Sequence, residues 1–182
     1  MKQSLGMVEI VSIPAGVQAG DAMLKAASVH LVTAQSVCAG KYIVMVTGDV
    51  AAVEASVKAG QKSAGGRLVD SIVISGVHEQ VPMAVNACSE IGCAAALGVI
   101  ETFSLCTAIL VADTAVKAAD IDLIEIRLGR GLGGKSFITL TGHVAAVEAA
   151  VKAAESVEEA EGLMSGSVVI PSPHPDMWKT LI

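Results

Sequence analysis

The feature that most constrains this chain is an internal duplication. The thirteen-residue run Thr47–Ala59 returns as Thr141–Ala153 with two changes, Asp49 to His143 and Ser56 to Ala150. Upstream, Leu5-Gly6-Met7-Val8-Glu9 is matched by Leu97-Gly98-Val99-Ile100-Glu101. Asp21, Lys25, Ala26 and Ala27 are likewise matched by Asp113, Lys117, Ala118 and Ala119. The offset grows by two residues between these blocks, which places a two-residue insertion in the second copy just before Gly134. A chain built this way folds as one unit used twice. The repeat divides it into a first domain at 1–78, a linker at 79–96 and a second domain with a C-terminal tail at 97–182.

Each copy has the same predicted order. Leu5–Val11 is apolar and β-branched and reads as a strand. Pro14-Ala15-Gly16 turns the chain into a helix over Val17–Ala27. Val29–Gln35 and Lys41–Val46 are two more strands around the short loop at Cys38. Asp49 sits at an N-cap position, and Val50, Val53 and Val57 follow on one helical face. Gly60 is expected to end that helix, and Leu68–Ile74 is a fourth strand. The fold class is α+β, two tandem ferredoxin-like β-α-β-β-α-β units with helices on one face of an antiparallel sheet. The linker is expected to hold a short helix from Pro82 to Ser89. The tail Pro171–Trp178 is too proline-rich for helix or inner strand until Asp176.

Composition narrows the partners. The 182 residues are 53% hydrophobic but only 2% aromatic. A core of small side chains gains less burial energy, at roughly 25 cal/mol per Å², so subunit contacts are expected to contribute. Charges such as Glu9, Asp21, Lys41, Asp49 and Glu101 interrupt every long apolar stretch, which argues against a membrane span. Met1-Lys2-Gln3-Ser4 lacks the apolar run of a signal peptide, and the expected setting is soluble and cytoplasmic. A net charge of −6 with no Lys/Arg cluster argues against nucleic acid. Four cysteines in such a chain suggest thiols or metal ligands rather than a disulfide framework.

With these motifs in place the chain resembles bacterial microcompartment shell domains. The residues that carry the resemblance are Gly20–Ala27, the glycine loop before a strand, Thr47–Val53 and the closing Ile170-Pro171-Ser172-Pro173-His174. It spans the whole chain, twice, and is most similar to tandem-domain trimeric shell proteins of propanediol-utilisation compartments. The resemblance implies a homotrimer forming a pseudo-hexagonal tile in the shell, no enzymatic activity, and other shell proteins and an encapsulated redox enzyme as partners. It implies a [4Fe–4S] cluster on the threefold axis, ligated by one Cys38 from each chain, with Ala39, Gly40, Gly133 and Gly134 lining it. Gly129, Arg130, Gly131 and Leu132 would form a pore loop, and Lys25 and Lys117 would lie at tile edges. Ser172 departs from the arginine that many members carry there, which weakens the expectation that this segment makes the usual edge contacts.

The residues themselves leave alternatives open. From the residues alone Cys38 reads first as a free thiol in a loop. Three symmetry-related thiolates suit an iron–sulfur cluster, although such clusters usually take four. The glycines would let backbone approach a bulky group and offer N–H donors. Cys88 and Cys93 have the C-x4-C spacing of a ferredoxin site, but Ala96 stands where its next cysteine would fall. Those two and Cys106 read as packing or incidental thiols. Gly129–Lys135 resembles a phosphate loop but precedes a strand rather than a helix. Arg130 there would favour anionic metabolites. His78 and His174 occupy equivalent places in dissimilar contexts, and Trp178 reads as an interface anchor. No catalytic constellation is present. Two rivals remain: a shell tile with a metabolite pore and no cluster, and a trimeric ferredoxin-like regulator of small-ligand type.

Overall fold

The computed structural model describes residues 3–92 and 94–181. Cys93, half of the C-x4-C pair, lies outside them. The first copy runs β1 (Ser4–Ile10), α1 (Ile13–Ala26), β2 (His30–Val37), β3 (Lys41–Gly48), α2 (Val50–Ala64) and β4 (Leu68–Ile74). A short helix, α3 (Gln80–Val85), follows. The second copy runs β5 (Ala96–Thr102), α4 (Leu105–Ala118), β6 (Ile121–Leu128), β7 (Ser136–Gly142), α5 (Val144–Glu155) and β8 (Met164–Ile170), closing with α6 (Pro175–Trp178). Each copy forms a four-stranded antiparallel sheet, β2-β3-β1-β4 and β6-β7-β5-β8. This is the ferredoxin-like order, twice. Even the irregularities repeat, with a register shift at Leu31/Thr33 in β2 and at Leu123/Glu125 in β6.

Two compact units result. One comprises Met1–Val77 with Gly129–Gly134, the other His78–Leu128 with Lys135–Ile182. Residues 78–92 belong to the second unit, where α3 packs on β6 and α4, and the glycine loop belongs to the first.

Several boundaries differ from the sequence-based expectation for identifiable reasons. Helix α1 begins at Ile13, not Val17, because the Ser12 hydroxyl accepts from Ala15 N–H at 3.4 Å. Pro14 is then in the first turn, where its missing N–H costs nothing. Ser104 caps α4 in the same way, accepting from Thr107 N–H at 3.3 Å. Asp49 precedes α2 as expected, but its side chain makes no capping hydrogen bond. Helix α3 begins at Gln80, ahead of Pro82, again placing proline in the first turn.

Gly60 does not end α2, which continues to Ala64 and stops at Gly65 with φ +53°. Its role is close approach. A Cβ at Gly60 would lie 2.7 Å from Met23 Cγ and 2.8 Å from its Sδ. The missing side chain lets α2 settle against α1, and the Ser56 hydroxyl donates to Met23 C=O at 3.1 Å across the same contact. Beneath lies a core of Val8, Ile10, Ala19, Met23, Val44, Val46, Val53 and Val57. Val50, expected on the buried face, is exposed at the helix start. No helix among the described residues is long and apolar enough to cross a membrane.

Candidate functional site

The β2–β3 hairpin positions the cysteine. Its last rung pairs Val37 with Lys41, leaving Cys38, Ala39 and Gly40 as the turn. Gly40 takes φ +74°, a left-handed backbone suited to glycine. On that same rung Lys41 forms an ion pair with the buried Glu9 of β1, which anchors the base of the loop. The second copy repeats this anchor. There Lys135 Nζ lies 2.9 Å from Glu101, and hydrogen bonds from Ser165 and then Lys135 hold the Glu101 carboxyl below the usual carboxylate range.

Against this turn sits the segment Gly129–Gly134, part of the same compact unit. Cys38 N–H donates to Gly129 C=O at 2.9 Å. Gly131 N–H donates back to Cys38 Sγ at 3.2 Å. The Arg130 guanidinium hydrogen-bonds to Gln35 Oε1 on β2. Gly129, Gly131, Gly133 and Gly134 all have positive φ, and a Cβ at 131, 133 or 134 would meet open space. These glycines are therefore required by backbone conformation rather than by crowding. The Cys38 thiol is half-buried, with a backbone N–H already aimed at its sulfur.

The structure thus brings Cys38, Gly129, Arg130 and Gly131 together, with Ala39, Gly40, Leu132, Gly133 and Gly134 in the same pair of turns. Sequence reasoning set the two loops side by side as repeats but missed that one donates to the other, and it missed Gln35 as the partner of Arg130. The remaining cysteines are elsewhere. Cys106 is buried near the start of α4, and Cys88 is exposed with its thiol donating to Asn86 C=O at 3.3 Å. Among the described residues no group of three or more His, Cys, Asp or Glu in one chain is arranged to hold a metal ion. Lys25 is exposed and paired with Asp21 at 2.7 Å. Lys117 pairs with Asp113 at 2.5 Å. His78 and His174, dissimilar in sequence context, have the same local geometry: each Nδ1 accepts from the backbone N–H two residues on, at 3.4 and 3.2 Å.

The geometry defines the class first: a tandem pair of ferredoxin-like α+β domains with a cysteine-bearing hairpin loop in the first. The BMC domain profile matches residues 4–77 and 96–173, and the chain belongs to the BMC domain family, with two copies in tandem. It is 38% identical over its full 182 residues to the bacterial microcompartment shell protein PduT of Citrobacter freundii, covering 99% of that protein. It is 42% identical to the carboxysome shell protein CcmK2 of Synechococcus elongatus over 85 residues, 44% of this chain and 83% of the relative. A crystal structure of a microcompartment protein from Desulfitobacterium hafniense DCB superposes with TM-score 0.94 at 49% identity, covering 98% of this chain and 99% of that one. The fused permuted hexameric shell protein MSM0275 of the RMM microcompartment shares the fold, with TM-score 0.61 at 23% identity, covering 84% of this chain and 82% of that one. These relatives are structural shell proteins. The chain is a microcompartment shell protein of that kind and not an enzyme.

Proposed function

We propose that this shell protein assembles as a homotrimeric tile and carries a [4Fe–4S] cluster at the centre of the trimer, each chain contributing Cys38. The observation that carries the reading is the Gly131 N–H aimed at the Cys38 sulfur at 3.2 Å on an accessible turn. A thiolate that ligates iron is stabilised by N–H donors of this kind, and an ordinary surface thiol has no need of one. The residues present fit the group in two further respects. Open space beside Gly131, Gly133 and Gly134 leaves room for a bulky ligand. One thiol per chain, with no second ligand set in the same chain among the described residues, suits a site shared between copies.

When bound, such a cluster supplies one-electron redox chemistry within the shell. The protein's part is to hold the thiolate at the loop tip. The Cys38 N–H bond to Gly129 and the Lys41–Glu9 pair fix the turn, and Gly131 N–H lowers the negative charge on sulfur. Arg130 hydrogen-bonds to Gln35 and so braces the loop, while its guanidinium keeps the positive charge that would favour anionic metabolites. Neighbouring shell proteins and an encapsulated redox enzyme complete the partner set of this reading.

The test is iron and acid-labile sulfide per trimer in anaerobically purified protein, beside a Cys38→Ser variant that still assembles. About four of each, lost in the variant, is the expected result for a [4Fe–4S] centre. Neither iron nor sulfide after anaerobic reconstitution would remove the cluster and leave a tile with a central opening.

A further inference from the structure

The two copies end on edge strands that are built differently, and each serves as a control for the other. β4 and β8 both lie at the edge of their sheets. Glu9 pairs with Asp70 and Glu101 with Gly166, so Gly166 stands where the first copy has Asp70. In β4 the Asp70 carboxylate accepts from Ser71 N–H at 2.7 Å, so that edge carries a charge folded against its own backbone. Charged side chains are a common guard of a free sheet edge. β8 has neither a charged residue nor a proline.

Glycine inside a strand is unfavourable, and three ordinary reasons for it are absent at position 166. Its φ is not positive. A Cβ there would meet nothing within 4 Å. The register shift beside it also occurs beside Asp70, so a bulge of this kind does not require glycine. What Gly166 does provide is bare backbone on an exposed edge, where a further strand can approach closely. Among the described residues β8 pairs with β5 alone, so alternate N–H and C=O groups along it point away from the sheet.

The approach to this edge is acidic. Residues 155–170 contain Glu155, Glu158, Glu159 and Glu161 and no Lys or Arg, and all four carboxylates are exposed. The corresponding connection of the first copy, residues 61–67, has Lys62 and Arg67 and no acid. Ser167 Oγ donates to Glu155 on the helix side of β8. Val168, the next residue and so on the opposite face, is 48% exposed.

We infer that the edge of β8 binds an extended basic segment of a partner protein, which joins the sheet as a further strand. Backbone hydrogen bonds to β8 supply the affinity of such a contact, and alternate side chains supply its selectivity. One face of the incoming strand sets Lys or Arg beside Glu155 and the carboxylates of the connection. Its other face sets apolar side chains beside Val168. A second copy of this chain does not supply the segment. Another β8 brings the same four carboxylates, and β4 carries Asp70 where the backbone must be bare. The inference is independent of the Cys38 site.

The experiment is a fluorescence anisotropy titration of the full-length protein with a labelled Lys-Val-Lys-Val-Lys-Val peptide. The same peptide methylated at every backbone nitrogen keeps the charge but loses the N–H donors, and Glu-Val-Glu-Val-Glu-Val reverses the charge. The wild type is expected to bind the first peptide, and to bind each of the other two about tenfold or more weakly. Gly166→Asp, which copies the guard of β4 into open space, is expected to bind the first peptide about tenfold or more weakly, with circular dichroism as the folding control. A purely electrostatic contact would instead be strengthened by the added carboxylate, so the two readings differ in sign. Absence of binding to the wild type overturns the inference. So does equal binding of the methylated peptide, or binding by Gly166→Asp that is unchanged or tighter. A change in assembly size on Gly166→Asp with no peptide binding assigns the edge to a second copy and also overturns it.

Discussion

At the scale of single residues, the Cys38 site depends on backbone shape more than on side chains. Gly131 has φ +71° with open space where a Cβ would go. Its replacement by alanine therefore introduces conformational strain without a clash, about 1–2 kcal/mol by the usual left-handed penalty. Gly66 also faces open space but lacks the positive φ, so it serves as a control. Chemical denaturation should show Gly131→Ala destabilised by about 1 kcal/mol, with Gly66→Ala nearly neutral. Equal effects in the two variants would mean that the loop does not enforce the left-handed geometry. The legibility of this site was uneven. Cys38 stood out because it interrupts a repeated strand–loop–strand pattern, and the glycines stood out by density. The Gly131 N–H bond to its sulfur was not legible, because the two residues are far apart in sequence and no local pattern links them.

At the scale of elements, the α1–α2 pair shows propensity yielding to packing. A glycine inside a helix costs about 1 kcal/mol relative to alanine, which is why Gly60 reads as a helix end. The helix passes through it because a Cβ would enter the space of the fully buried Met23. Gly60→Ala thus sets a propensity gain against overpacking that typically costs about 1–3 kcal/mol. The expected outcome is net destabilisation by about 1–2 kcal/mol in urea unfolding. A variant more stable than wild type would show that the two helices can part without loss. The other boundary differences share one cause. Ser12 and Ser104 start their helices by capping the first turn, and in α1 the proline of that turn does not stop the helix.

At the scale of the whole molecule, apolar side chains remain on the surface of the first unit. Ile13, Val17, Leu24 and Leu31 are all substantially exposed, while their counterparts in the second unit, Leu105, Ile109, Val116 and Leu123, are buried. Burial of such a face in an oligomer couples stability to concentration. The apparent Tm of the wild type should therefore rise with protein concentration in differential scanning calorimetry. Leu31→Ser should shrink that rise, since it removes one of the exposed apolar side chains of this face. A Tm independent of concentration across the range in which the protein is oligomeric would show that assembly leaves this face uncovered.

The sequence by itself determined the duplicated ferredoxin-like fold, which follows from hydrophobic period, strand chemistry and a repeat, all written locally along the chain. The family was legible through the resemblance of its motifs at Gly20–Ala27, Thr47–Val53 and Ile170–His174. The sequence also singled out the Cys38 and glycine loops and the equivalence of His78 with His174. Tertiary structure alone decided that Gly60 is a packing position and that Gly129–Gly134 belongs with Cys38. It also decided that residues 78–92, which join the two copies, pack with the second unit. The reason is physical. A helix or strand is selected by neighbours a few residues away, but close approach, hydrogen bonds between distant loops and bare surfaces depend on groups that only folding brings together.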